Sequence, residues 1–224
     1  MTVPFLDVGA AHAALADEIE AAVTRVLRAG TYVGGPEVEA FEAEWAAYVE
    51  ARHCVGVGNG LDALTLALRA VGVGPGDEVI VPAHTFIATW LSVTAVGATP
   101  VPVDPPSGGH LIDAAGVAEA ITPRTRAIVP VHLYGDPVDL DPILDLARRH
   151  DLVVVEDAAQ AQGARYRGRR IGAHGHAVAW SFYPGKNLGA AGDAGAVTTD
   201  DHDIARTVRR LANYGAEREY VHLE

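Results

Sequence analysis

The chain has 224 residues and a formal net charge of −12, spread along its length rather than gathered in a tail. That balance argues against non-specific binding to nucleic acid or to an anionic membrane. No apolar run is long enough to span a bilayer, the opening "MTVPFLDVGAAHAALADEIE" lacks a basic-then-apolar signal pattern, and the single cysteine, Cys54, rules out an internal disulfide, so the expected setting is the cytoplasm.

In chain order, Ile19, Val23, Val26 and Leu27 predict a helix over "ADEIEAAVTRVLRAG" that stops at Gly30. A second helix starts at Pro36 and carries Val38, Phe41, Trp45 and Tyr48 at helical spacing. Cys54, in "RHCVGVG", reads as a buried small apolar residue rather than a reactive thiol. The strand there runs into a glycine turn and then into "LDALTLALRAVG", which is apolar nearly all round and is expected to be a buried helix. Strands follow at "DEVIVP", "TPVPVD", "RAIVPVH", "LVVVEDAA", "AVAWSF" and "GAVTTD", with helices between them at roughly 87–97, 114–121 and 139–150. Runs such as Val153-Val154-Val155 predict strands covered on both faces. Alternating strand and helix imply an α/β fold with a mostly parallel central sheet. The arginines of "GARYRGRRIG" read first as a solvated hairpin and second as an anion site.

In such sheets ligands collect at the carboxyl ends of the strands, which singles out Asp157, His84 with Phe86, and Ser181 with Lys186. Lys186, in "SFYPGKNLGAAGDAGAV", is the one lysine of the chain; the other sixteen of the 17 basic residues are arginine. A guanidinium stays protonated, so arginine cannot replace lysine where a neutral amine must attack a carbonyl. Lys186 is therefore either an ordinary surface lysine or a Schiff-base former. Asp157 closes "VVVED" either as a cap for the next segment or as a carboxylate that pairs with a protonated ring nitrogen, and Glu156 is expected on the opposite face of the strand. Gly56, Gly58 and Gly60 do not make the dinucleotide fingerprint, which excludes a nucleotide-dependent oxidoreductase on spacing. They leave a strand, a glycine turn and a helix N-terminus, read equally as a plain connection or a phosphate site to which Ser181 adds a hydroxyl. Phe86 is a core aromatic or a ring stacked on a cofactor. His174 and His176 have H-x-H spacing, but no acidic or cysteine ligand clusters nearby, so no metal is expected. Ser181 lacks the nucleophile-elbow pattern of a hydrolase.

Taken together, the blocks "PFLDV", "GPEVEAFEAEWAAY", "GNGLDALTLAL", "GDEVIVPAHTFIATW", "GATPVPVD", "PVHLYG", "VVEDAAQAQGA" and "SFYPGKNLGAAGDAGAV" resemble the DegT/DnrJ/EryC1/StrS family of pyridoxal phosphate-dependent sugar aminotransferases over essentially the whole chain. The resemblance implies a fold-type-I large domain over residues 1–224, with a helical segment at about 1–50. It implies pyridoxal phosphate on Lys186, the carboxylate of Asp157 on the pyridine nitrogen, and Gln160 close to the ring. Phe86 would stack on the ring, and Ser181 with the backbone of Gly60 and Leu61 would cradle the phosphate. The implied reaction moves an amino group from glutamate to a keto-deoxysugar carried on a nucleotide diphosphate. "NGLDAL" favours attack at C3 of the sugar, with a C4 aminotransferase as the alternative. A deoxysugar pathway of antibiotic or surface-glycan synthesis goes with the alanine- and arginine-rich composition by association.

Two departures from the family stand out. Ala194 occupies a usual glycine in "GDAGAV". The family's C-terminal small domain is expected to be absent, together with an asparagine that a partner chain of the homodimer gives to the phosphate. A truncated, catalytically silent family member is therefore the second reading.

Overall fold

The computed structural model describes residues 3, 6–218 and 221–222. Pro4 and Phe5, which open the "PFLDV" block, lie outside the described residues. Three helices come first: α1 (Val8–Ala13), α2 (Ala16–Ala29) and α3 (Pro36–Tyr48). Helix α2 ends on Gly30 at φ 70°, as the glycine requires, and α3 has its proline in the first turn. The apolar stripe of α2 does not enter a core, however; none of its residues is buried, and Leu27 is 61% exposed.

Beyond them the chain alternates as read: β1 (His53–Val57), α4 (Gly60–Ala70), β2 (Glu78–Pro82), α5 (Ala88–Ala95), β3 (Thr99–Val103), α6 (Ala114–Ala120), β4 (Thr125–Ile128), α7 (Leu140–His150) and β5 (Val153–Asp157). Then come the hairpin strands β6 (Arg165–Tyr166) and β7 (Arg169–Arg170), followed by β8 (Ala177–Ser181), β9 (Gly195–Thr199) and α8 (His202–Leu211). Seven strands form one sheet in the order β1-β9-β8-β5-β4-β2-β3. Only β9 runs against its neighbours; the other six point the same way, so their carboxyl ends share one edge.

The hairpin at 165–170 is the solvated one expected, and its arginines are engaged. Arg165 meets Glu50 at 3.3 Å, Arg169 meets Asp200 at 3.3 Å, Arg167 meets Asp141 at 2.5 Å, and Arg170 lies 3.9 Å from the centroid of the Tyr48 ring. Such pairing leaves no support for an anion site there.

The period of two along a strand divides the core in half. Ile80, Ile128, Val154, Val178 and Trp180 belong to the core shared with Trp45 of α3 and with Leu140, Ile143 and Leu146 of α7. Their neighbours Val79, Val81, Ala127, Val155, Ala179 and Val197 pack with Leu64 and Leu68 of α4, Val93 of α5 and Val208 of α8. Asp157 and Ser181 have the parity of Val155 and Ala179, so both fall on the α4/α5 face. Cys54 is buried, and burial, helped by the charge of Glu42, pushes its thiol up to about 12, which makes it inert.

Close backbone approach ties this frame to the loop before α4. A Cβ on Gly195, the first residue of β9, would lie 2.3 Å from the Asn59 carbonyl oxygen and 2.9 Å from that of Trp180. Gly195→Ala is therefore expected to push Asn59 and the start of α4 outward and to destabilise by about 2 kcal/mol. Thermal unfolding would read that as a Tm lowered by roughly 4–8 °C.

Candidate active site

At the shared carboxyl edge lies a cavity of about 700 Å³. Seven of the residues singled out in the sequence, Gly60, Leu61, Phe86, Asp157, Gln160, Ser181 and Lys186, line it. They come from the turn after β1, the turn after β2, the ends of β5 and β8, and the loops that follow those two strands. Distant segments thus meet because parallel strands end together.

Helix α4 presents its N-terminus to this space. Asn59 caps it, accepting the Asp62 N–H at 2.8 Å. The first helical residues are Gly60 and Leu61, whose N–H groups have no partner within the helix. Gly60 permits the approach of Ser181: a Cβ there would sit 2.7 Å from the Ser181 Cβ and 3.2 Å from its Oγ. Helix N–H groups and a hydroxyl are thus held against one another, a donor set suited to a phosphate.

Asp157 is only 5% exposed. Its Oδ2 accepts the Thr89 hydroxyl at 2.8 Å and its Oδ1 accepts the Ala159 N–H at 3.1 Å. Deep burial pushes its carboxyl up; the Thr89 and Ala159 bonds and the charges of Lys186 and His132 oppose that without cancelling it. Glu156 points to the other face, as expected. There the His132 Nε2 is 3.0 Å from its Oε2, and the N–H groups of Gly175 and His174 reach its Oε1 at 2.6 and 3.2 Å. The Val138 N–H donates to His132 Nδ1 at 3.1 Å, so Nε2 is the protonated nitrogen that donates to Glu156. Burial opposes the Glu156 charge, but these partners outweigh it and hold the carboxyl below its usual range.

Lys186 follows the turn after β8, its N–H donating to the Tyr183 carbonyl at 2.8 Å. Burial lowers its amine below the ordinary lysine value, and the charge of Asp157 opposes the shift. Lys186 is half-buried and lines the same cavity as the buried Asp157, which counts against an ordinary surface lysine. Phe86 is 71% exposed while lining the cavity, so it is a wall and not a core aromatic. The Gln160 Oε1 accepts the Tyr134 N–H at 2.6 Å. With that oxygen committed, the amide offers a ligand its N–H. Tyr134 itself holds a left-handed backbone, φ 59°, outside the region favoured by a bulky side chain.

His84, also singled out in the sequence, does not line the cavity; its Nε2 lies 3.3 Å from the Tyr134 hydroxyl. His176 turns inward instead, its Nδ1 accepting the Val154 N–H at 3.0 Å. Sequence reasoning missed Thr89 and Thr85. Both lie in the block "PAHTFIATW", but nothing local marks a threonine that reaches a carboxylate 68 positions away.

Over 220 residues, 98% of this chain and 58% of the relative, the sequence is 60% identical to a Streptomyces venezuelae dTDP-3-amino-3,4,6-trideoxy-alpha-D-glucose transaminase. The fold matches the crystal structure of S. venezuelae DesV in complex with a ketimine intermediate at TM-score 0.97 and 60% identity, covering 99% of this chain and 60% of that one. It matches NtdA from Bacillus subtilis with bound cofactor PMP at TM-score 0.93 and 36% identity, covering 100% of this chain and 51% of that one. The chain therefore spans somewhat over half the length of these proteins. A model of the DegT/DnrJ/EryC1/StrS aminotransferase family matches residues 13–224. On fold, sequence and the residues brought together at the sheet edge, this chain belongs to the DegT/DnrJ/EryC1/StrS aminotransferase family.

Proposed function

We propose that residues 1–224 form the cofactor-binding large domain of a pyridoxal phosphate-dependent aminotransferase acting on a nucleotide-linked sugar. The observation that carries the reading is the meeting, in one cavity, of the chain's one lysine, a buried carboxylate at the end of β5 and the N-terminus of α4. The donor set fits the cofactor: an amine for its aldehyde, a carboxylate for its ring nitrogen, and helix N–H groups with Ser181 for its phosphate. When bound, pyridoxal phosphate supplies an aldehyde and a protonated ring that accepts electron density from a substrate carbon.

The side chains divide the remaining work. The Lys186 Nζ is the nucleophile and, once freed, the base that carries a proton to and from the substrate carbon. Its lowered basicity makes the neutral amine available at a pH where an ordinary lysine is charged. Asp157 would hold positive charge at the ring nitrogen, Phe86 would be the wall available to a ring face, and Gln160 would offer its N–H to the cofactor.

The amino donor is read as glutamate and the acceptor as a keto-deoxysugar on a nucleotide diphosphate, aminated at C3. The 60% identity to a 3-amino-sugar transaminase supports that position over C4. The surroundings proposed are a deoxysugar pathway of antibiotic synthesis, the cytoplasm, and a homodimer. Among the described residues, no helix is long and apolar enough to cross a membrane.

Treating the purified chain with pyridoxal phosphate and borohydride, then mapping the adduct by peptide mass, tests the cofactor site. The expected adduct lies at Lys186 and disappears in Lys186→Ala; an unchanged adduct in that variant would sink the assignment. The pH dependence of the same trapping follows from the shift at Lys186. Half-maximal labelling is expected below the ordinary lysine range. Asp157→Asn removes the charge that supports the ammonium, so it should move the midpoint lower still. An unmoved midpoint in Asp157→Asn would mean the two groups do not interact. Turnover of a 3-keto nucleotide sugar set against its 4-keto isomer decides the position of amination, the 3-keto substrate being expected to react faster. No amination of either would leave the silent reading in place.

A further inference from the structure

Resting on the reading of the cavity as a pyridoxal phosphate site, the geometry points to Thr89 as a positioning residue that, with Thr85 behind it, clamps Asp157 in the orientation and ionised form the cofactor's ring nitrogen requires. The Thr89 side chain is fully buried. Its Oγ1 lies 2.8 Å from Asp157 Oδ2 and 2.9 Å from Thr85 Oγ1. A hydroxyl has one proton to give, and an ionised carboxylate has none. The Thr89 proton therefore goes to Asp157, and Thr85 must donate to Thr89. The direction of the relay is fixed: Thr85 to Thr89 to Asp157.

Two consequences follow. Each Asp157 oxygen is held by one donor from the protein, Thr89 on Oδ2 and the Ala159 N–H on Oδ1, so the carboxylate cannot rotate without breaking both. A proton on Oδ2 would reverse the whole relay, with Asp157 donating to Thr89 and Thr89 to Thr85. Thr85 also lines the cavity, so the relay runs from the cavity wall to the carboxylate through a water-excluded link. A hydrogen bond to a charged group in such a setting is stronger than one between neutral groups.

The other charged groups about Asp157 do not substitute for this bond. Lys186 acts across the cavity, and Asp193 lines the same space. His132 and Glu156 meet each other on the opposite face of the sheet. Among the side chains of the described residues, Thr89 is the one that hydrogen-bonds the carboxylate directly.

The test compares Thr89→Val, Thr89→Ser and Thr85→Val with the unaltered chain in two readouts. One is the dissociation constant for pyridoxal phosphate, followed by fluorescence. The other is the titration of the Asp157 carboxyl in the cofactor-free protein, followed by carbon NMR on labelled aspartate. Valine keeps the shape of threonine and removes the donor, so Thr89→Val should weaken cofactor binding by about tenfold or more and move the Asp157 titration upward. Thr89→Ser keeps the hydroxyl and should stay within about threefold of the unaltered chain, with the titration in place. Thr85→Val removes only the support and should fall between the two.

Equal losses in the valine and serine variants would assign the effect to packing and overturn the relay, as would a Thr89→Val variant that behaves like the unaltered chain. If Thr89→Val does not fold, Thr85→Val carries the test, and an unmoved Asp157 titration there overturns the proposal. If the unaltered chain binds no pyridoxal phosphate, the cofactor reading falls. The carboxyl titration of the cofactor-free protein still decides the hydrogen bond on its own.

Discussion

Two carboxylates are buried back to back at the end of β5, and the site depends on how each is satisfied. Burying a charge without partners is costly enough that the group neutralises instead. The strand's period of two sends Glu156 and Asp157 to opposite faces, where they meet different partners. Glu156 receives an imidazole N–H and two backbone N–H groups, and its charge is kept. Asp157 receives a hydroxyl and one N–H, fewer donors for a similar burial. The opposite shifts of the two carboxyls reflect that difference in supply. Glu156 is a structural charge, locked under the sheet. Asp157 is left short of partners on the side that faces the cavity, where a cation can complete it.

The same alternation assembles the rest. Ser181 shares the face of Asp157 because β8 lies beside β5 in parallel register, with Asp157 opposite Ala179. Helix α4 packs on that face through Leu64 and Leu68 and brings its N-terminus to the sheet edge. Without a side chain at Gly60 the helix start can touch Ser181, and without one at Gly195 the preceding turn can lie against β9. The phosphate-type donor set is therefore a packing result, in which two glycines let backbone and hydroxyl close on one space.

Much of this was legible in the sequence. The strands were marked by β-branched runs such as Val153-Val154-Val155, and the candidate residues by their place just after strands. Lys186 was marked by composition, as the one amine in a chain of guanidinium groups. What sequence could not show were contacts between segments. Thr85 and Thr89 look like any threonines near a helix start, and their role depends on the distance across the sheet edge to Asp157. The apolar spacing of α2 reads as a core-facing stripe, yet periodicity reports amphipathicity alone and does not say what covers the apolar side. Tyr134 is similarly hidden. Its left-handed turn is held by the Gln160 amide from another loop, and no local preference would put a tyrosine there.

Lysine and aspartate share one physical cause for their shifts. Burial acts against charge of either sign, so it lowers the Lys186 amine and raises the Asp157 carboxyl, while their mutual attraction pulls both back. The chain thus keeps an amine less basic than an ordinary lysine in the same cavity as a carboxylate less acidic than an ordinary aspartate, a poise neither group would have in water. An arginine at position 186 would defeat it, because no burial of this kind neutralises a guanidinium. The contrast also explains the composition. Surface charge can be carried by arginine throughout, as the hairpin at 165–170 shows, because there only a fixed positive charge is needed. The one position where the proposed function asks for a positive charge that comes and goes is the one position where the chain uses lysine.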